Sequence, residues 1–339
     1  MVQFPVLLIT LSLAFEVHSS YAENRRLQLV RDIDGTQQLV NPNPYRVLNA
    51  HLERSFNAQS DIIFRLYTRK NPEKHQILKP NDTSSILNSN FNADLPTRFL
   101  IHGWNQNGES DILIELRRSY LSVEDFNVIG VDWGEGALTI NYVMARKRVE
   151  SVGLVTSQLI DTLVDASGVI LDSIYVIGHS LGAHVAGIVG KHQRGQLNTI
   201  VGLDPAGPLF SLNSSDILNQ NHAQYVEMVS TGARLLGTYE PLGDANFYPN
   251  GGLEQAGCGL DLFGICAHAR SWIYFAETVT NGKGFRGIKC AMIEDLEGET
   301  CNLSGLPNVW MGGEPSNHER GVKGIFMVHT NSEAPFAKD

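Results

Sequence analysis

The stretch SIYVIGHSLGAHVAG, residues 173–187, decides the fold. Residues 173–177 are rich in β-branched and aromatic side chains and read as a buried strand. From Leu181 to Lys191 the spacing is helical, and Ala183, Ala186, Gly187 and Gly190 are small enough to let that helix lie close to a sheet. Between them stands Gly178-His179-Ser180-Leu181-Gly182, a G-x-S-x-G motif in the strand–turn–helix context that gives the motif meaning. The turn is sharp, and a Cβ at either glycine would strike the adjoining strand or helix. It pushes the Ser180 hydroxyl out at the C-terminal edge of the sheet, with the positive end of the helix dipole directed at it. An ordinary glycine-rich turn is the alternative; the flanking strand and helix favour a nucleophile.

Strands and helices alternate on both sides of this turn. Upstream, residues 98–101 form a short apolar strand ending in His102-Gly103-Trp104, and Ser110 is placed to cap a helix through ILIELRRSYL. Residues 127–131 form a strand ending in Asp132-Trp133-Gly134, and a helical pattern from Tyr142 to near Leu163 stops by Gly168. Downstream, the strand 199–203 ends at Asp204-Pro205, where proline prevents the ladder from continuing. Nearer the N-terminus, residues 61–68 read as a strand and residues 27–40 as a hairpin around Asp34-Gly35. This alternation predicts an α/β fold, a mostly parallel central sheet with helices on both faces. With no repeat, low-complexity tract or linker, residues 23–339 read as one domain.

A serine hydroxyl is a weak nucleophile near neutral pH and needs a histidine base oriented by an acid. For this motif the chain order is serine, acid, histidine. Asp204 directly follows the strand 199–203 and fits the acid position. Asp132 also ends a strand but precedes the serine, so it reads as structural. Of the later histidines, His222 precedes a strand, His318 lies in a polar loop and His329 belongs to an apolar run. His268 follows Cys266 by two residues, where a disulfide would fix its backbone. A developing oxyanion needs two backbone N–H donors. Leu181, just after the serine, supplies one; the loop after strand 98–101 supplies the other, at Trp104.

The 339-residue chain is 42% apolar and 18% charged, ample for a large core. Its formal net charge of −10 argues against nucleic acid as a partner, because phosphate binding needs a basic surface. The apolar run FPVLLITLSLAF (residues 4–15) is too short to span a bilayer, and small residues up to Ala22 supply a cleavage site. Residues 1–22 therefore read as a secretory signal peptide. Secretion permits disulfides. Four cysteines allow three pairings, and Cys258–Cys266 with Cys290–Cys301 is favoured because each closes a short loop. A four-cysteine zinc site is the rival, disfavoured by the spacing. Asn81, Asn213 and Asn302 open Asn-x-Ser/Thr sequons and are glycosylation candidates.

Together the segments FLIHGW (99–104), GVDWGEGA (130–137), VIGHSLGAHVAG (176–187), VGLDPAGPLF (201–210), FYPNGGLEQAGC (247–258) and CAHARSWIYFAE (266–277) resemble the animal pancreatic-type lipase family of the α/β-hydrolase superfamily. Within the family the resemblance leans to the insect and venom phospholipase A1-like members. The resemblance implies an α/β-hydrolase fold, a triad of Ser180, Asp204 and His268, and oxyanion donors at Trp104 and Leu181. It also places the family's lid between Cys258 and Cys266, where only GLDLFGI (259–265) stands. So short a lid, with an abbreviated loop between Thr231 and Asn246, is the pattern of phospholipase A1 members. Leu260, Leu262, Phe263 and Ile265 would form an apolar lip against a membrane or micelle. The family's acidic calcium positions are replaced by Asn219 and His222, so no metal or other cofactor is expected. A C-terminal β-sandwich is not expected in this chain, and so no colipase is expected either. The implied activity is sn-1 ester hydrolysis of glycerophospholipids. The alternatives are a digestive triacylglycerol lipase or galactolipase, and a catalytically silent lipid-binding or storage protein.

Overall fold

The computed structural model describes residues 28–31, 37–40, 55–298, 300–301 and 309–338. The signal-peptide segment, the Asp34-Gly35 turn and Asn302 lie outside the described residues. Strands β1 (Gln28–Arg31) and β2 (Gln37–Val40) pair antiparallel, as the hairpin reading expects. The remaining strands are β3 (Ile63–Tyr67), β4 (Gln76–Leu78), β5 (Thr97–Ile101), β6 (Asn127–Asp132), β7 (Ile174–His179), β8 (Thr199–Leu203), β9 (Tyr225–Val229), β10 (Ala245–Pro249), β11 (Arg286–Cys290), β12 (Val309–Trp310) and β13 (Gly324–Val328). They form an 11-stranded sheet in the order β12-β11-β13-β10-β9-β8-β7-β5-β6-β3-β4. From β6 across to β13 every neighbouring pair is parallel, and antiparallel strands close both edges.

Among the described residues, four helices of more than ten residues cover the sheet: α1 (Asp111–Val123), α2 (Tyr142–Ser167), α3 (Leu181–His192) and α4 (Ile265–Thr280). The central strands are buried on both faces, so their side chains are apolar without a break and split by parity. Phe99, Ile101 and Val176 join Val149, Leu159 and Val185 of α2 and α3 in one core. Leu100, Tyr175 and Ile177 join Leu116, Tyr120, Phe275 and Val279 of α1 and α4 in the other. Each such side chain contributes roughly 1.5–3 kcal/mol of burial free energy. The helices α2 and α3 approach closely at Gly153, where a Cβ would stand 2.5 Å from Ile188 Cβ.

Local signals set the helix ends. The side chain of Asn141 accepts from Met144 N–H to start α2, and Gly168 ends it in the left-handed conformation at φ 74°. Ser110 stands at the N-cap of α1, but its hydroxyl caps no helical N–H. It accepts from Asn107 N–H at 2.9 Å instead, bracing the loop before the helix. Both expected local disulfides are present, Cys258–Cys266 and Cys290–Cys301. Asn81 and Asn213 are exposed. Among the described residues no helix is long and apolar enough to cross a membrane.

Candidate active site

The parallel register gathers the site. Ile101 stands opposite Gly178, His179 opposite Leu203, and Leu203 opposite Val229. The first residues past β5, β7, β8 and β9 therefore come out side by side along one edge, with strands about 4.8 Å apart. Ser180 leaves β7 at φ 57° and ψ −123°, a conformation costly for a residue with a Cβ. The surroundings enforce it. Its N–H donates to the Leu203 carbonyl at 3.0 Å, and its own carbonyl accepts from Ala183 and Ala206 N–H at 3.1 and 3.3 Å. A Cβ on Gly178 would stand 2.0 Å from the Gly182 oxygen, and one on Gly182 2.4 Å from the Ile101 oxygen. Backbone thus packs on backbone at this elbow, and only glycine fits. Ser180 keeps 7% of its surface exposed, so the hydroxyl lies deep but open.

Asp204 leaves β8 in the same manner, at φ 43°. Its carboxylate is completely buried and fully occupied. Oδ1 accepts from Thr231 and Gly232 N–H at 2.8 and 3.0 Å, and Oδ2 accepts from His268 Nδ1–H at 2.5 Å. The space comes from two glycines that the sequence reading did not single out. A Cβ on Gly237 would stand 2.4 Å from Asp204 Oδ1, and one on Gly232 2.7 Å from Oδ2. His268 lies in the first turn of α4, two residues after the Cys258–Cys266 disulfide. Gly264, the N-cap, has no side chain to cap this helix. Asp261 reaches in from the preceding loop and accepts from Ala267 N–H at 2.8 Å. The structure therefore joins Asp204 to His268 and brings Ser180 to the same sheet edge. Among the described residues Ser180 Oγ makes no hydrogen bond; bonds of this kind commonly tighten only when substrate binds.

The loop after β5 closes over the serine. A Cβ on Gly103 would stand 2.7 Å from Ser180 Cβ. Gly103 N–H donates to Gln106 Oε1 at 2.8 Å and Asn105 N–H to the Ala137 carbonyl at 3.0 Å. Between them, the Trp104 N–H has no acceptor among the described residues, and neither has the Leu181 N–H at the start of α3. These are the two donors expected to face an oxyanion. The loop is held from behind by His102, whose Nδ1–H donates to the Gly103 carbonyl at 2.9 Å while Nε2 accepts from Trp133 N–H at 3.1 Å. Asp132 backs His102 and pairs with Arg65 at 2.7 Å, the structural role read from its place in the chain. Burial alone would raise the Asp132 carboxyl; the Gly134 N–H and the Arg65 charge hold it below the usual carboxylate range.

The other histidines that follow the serine and were weighed as the base stay out of this constellation. His222 packs beneath α3, where a Cβ on Gly187 would stand 3.0 Å from its Nδ1. His318 stacks on Tyr225, and His329 is exposed just past β13. Of the lip residues, Leu260, Leu262 and Ile265 are 87%, 66% and 65% exposed, while Phe263 is half-buried. Gln106 and Asp261 belong to the site's support and went unread, because neither stands in a motif.

The chain order of serine, aspartate and histidine, carried on the C-terminal edge of a mostly parallel sheet, is that of the α/β hydrolases, and the architecture is theirs. Within that class, a family model described as Lipase matches residues 35–336, and the chain belongs to the lipase family. It is 38% identical over 250 residues to Lipase member H of Oryctolagus cuniculus, covering 71% of this chain and 54% of that protein. It is 35% identical over 303 residues to pancreatic triacylglycerol lipase of the same species, covering 81% of this chain and 64% of the relative. Inactive pancreatic lipase-related protein 1 of Canis lupus familiaris is 37% identical over 261 residues, covering 70% of this chain and 56% of the relative. The chain thus spans between about half and two thirds of the length of these relatives.

Proposed function

We propose that the protein is a secreted serine carboxyl-ester hydrolase of lipids, with phospholipase A1-type action on the sn-1 acyl ester. The observation that carries the esterase reading is the convergence at one sheet edge of the Ser180 elbow, the Asp204–His268 pair and two N–H groups without acceptors among the described residues. In the proposed mechanism Ser180 Oγ attacks the acyl carbonyl carbon and passes its proton to His268 Nε2. Negative charge collects on the carbonyl oxygen, where the Trp104 and Leu181 N–H groups receive it. His268 then gives the proton to the departing glycerol oxygen, which leaves as the lyso product, and Ser180 keeps the acyl group. Water, deprotonated by His268, attacks the acyl-enzyme, and Ser180 departs with the proton as the fatty acid is released. Asp204 holds the imidazole in its Nδ1–H form and offsets its positive charge.

The phospholipase leaning rests on the lip. Only seven residues stand between Cys258 and Cys266, and a lid that short would leave room for a polar headgroup beside an acyl chain. The exposed Leu260, Leu262 and Ile265 suit contact with a lipid surface. A triacylglycerol lipase is the second reading, favoured by the 81% of the chain that aligns with a pancreatic triacylglycerol lipase. A silent binding protein is the third; the inactive canine relative keeps it in view, and the intact Ser180, Asp204 and His268 weigh against it. Purified protein is assayed on sn-1-labelled phosphatidylcholine, on galactolipid and on triolein, beside Ser180→Ala. The expected outcome is labelled fatty acid from phosphatidylcholine and none from the variant. Preference for triolein or galactolipid overturns the headgroup assignment, and undiminished activity of Ser180→Ala overturns the mechanism.

A further inference from the structure

His179 lies beside the nucleophile in the chain, yet its side chain serves the base. We propose that His179 is a positioning residue which fixes the main chain under His268 through a hydrogen bond from its Nε2–H. The inference rests on the triad reading and adds a residue to it. His179 Nε2 stands 3.2 Å from the His268 carbonyl oxygen. That oxygen also accepts from Ser271 Oγ at 2.9 Å, so it is held from two sides. The two imidazole rings lie against each other with centroids 4.4 Å apart. On the far side, His179 Nδ1 is 3.5 Å from Gln106 Oε1, the atom that holds Gly103 N–H.

The proton follows from these partners. A carbonyl oxygen only accepts, so Nε2 carries the hydrogen; in the neutral ring Nδ1 then carries none, and its 3.5 Å approach to Gln106 Oε1 is a contact between two acceptors, not a hydrogen bond. The ring is neutral. Burial, together with the neighbouring His268, pushes the His179 imidazole well below its ordinary value. A neutral ring here adds no second positive charge when His268 takes the serine proton. The consequence is geometric. Ser180 and His268 come from elements far apart in the chain. Among the described residues, the His179 Nε2–H bond is the side-chain hydrogen bond that ties the elbow to the start of α4. One ring thus joins the nucleophile's strand to the base's helix. A site of this kind needs its groups held within about 0.5 Å.

Two substitutions separate positioning from packing. His179→Phe keeps a ring and loses the donor; His179→Gln keeps a donor at similar reach and loses the ring. Both are measured on soluble p-nitrophenyl butyrate and by the rate of inactivation with a fluorophosphonate, with Tm as the folding control. The expected result for Phe is a kcat lowered roughly 10- to 100-fold with KM within about twofold, and for Gln a kcat within about fivefold of the parent. Inactivation rates should fall in the same order. Phe as active as the parent, or more active than Gln, overturns the proposal in favour of packing. If Phe does not fold, His179→Met against His179→Gln makes the same comparison. A parent enzyme inert to both ester and fluorophosphonate overturns the esterase reading itself, a different outcome from equal activity in all variants.

Discussion

The turns at Ser180 and Asp204 solve one problem in two ways. Both follow neighbouring parallel strands, and both hold a residue with a Cβ at positive φ, 57° and 43°. At Ser180 the room is made locally by Gly178 and Gly182, two residues to either side. At Asp204 it is made by Gly232 and Gly237, which return from the far end of β9 to cradle the carboxylate. The first turn draws mostly on its own glycines, helped by Gly103 of the loop after β5, and the second is assembled from afar. The serine turn therefore answers to local sequence, and the aspartate turn answers to whatever positions the loop after β9.

The sharpest break in that comparison is Asp204→Asn. The amide keeps the size of the carboxylate and can still accept from Thr231 and Gly232 N–H, so the turn should fold. It can also donate toward His268, which favours the wrong tautomer of the base. A loss of about 10⁴ in kcat with Tm nearly unchanged is expected, read by ester turnover and thermal unfolding. A loss under tenfold would separate Asp204 from the base. Gly237→Ala tests the cradle rather than the carboxylate. Its Cβ would enter at 2.4 Å from Asp204 Oδ1, and the carboxylate has to move. A displacement near 1 Å should cost about 100-fold in kcat. Because the intruding contact is a side-chain end rather than backbone, stability should fall less than in Gly178→Ala, whose Cβ would strike the Gly182 oxygen at 2.0 Å. Equal stability loss in the two variants would erase the distinction between the two turns.

This difference also marks what the sequence made legible. Strand 199–203 and the ends of the nucleophile helix were readable because fully buried parallel strands are continuous apolar runs and the elbow carries its own glycines. Asp204 and His268 were readable as residue types in a required order. Gly232 and Gly237 were not, because each acts on Asp204, far away in the chain; Gln106 was not, because it holds Gly103 N–H from a position in no recognisable pattern. Ser110 teaches the converse: the position of a cap was right, but its hydroxyl was taken by Asn107, a competition that only three-dimensional placement decides.

The lip stands apart from both turns, since it packs little of itself on the domain. If Leu260 and Leu262 insert into lipid, the pair Leu260→Ser and Leu262→Ser should lower hydrolysis on phosphatidylcholine vesicles about tenfold, equivalent to roughly 1.4 kcal/mol. Turnover of a soluble short-chain ester should stay unchanged. A parallel drop on both substrates would assign the lip to the site's structure instead. Asp261, on the same loop, caps the helix that bears the base, so Asp261→Ala should lower activity on both substrates alike.

The smallest expected effect lies where the two turns meet. His184 of α3, the helix that follows the serine, donates from Nε2–H to the Ala206 carbonyl at 2.8 Å, two residues past Asp204. Its Nδ1 accepts from Leu218 N–H at 3.1 Å, so the bonded ring is neutral. Burial pushes this imidazole down to about 4 from an ordinary 6.5. Between those values the unfolded chain binds a proton that the folded chain refuses. The His184 contribution is therefore complete above pH 6.5 and is lost as pH falls through that window toward 4. His184→Gln cannot titrate, so its Tm should start lower at pH 7.5 and decline less steeply toward pH 4 than that of the parent. The difference between the two curves isolates this ring from the other buried histidines. Parallel curves would mean that the link between the turns does not pass through His184.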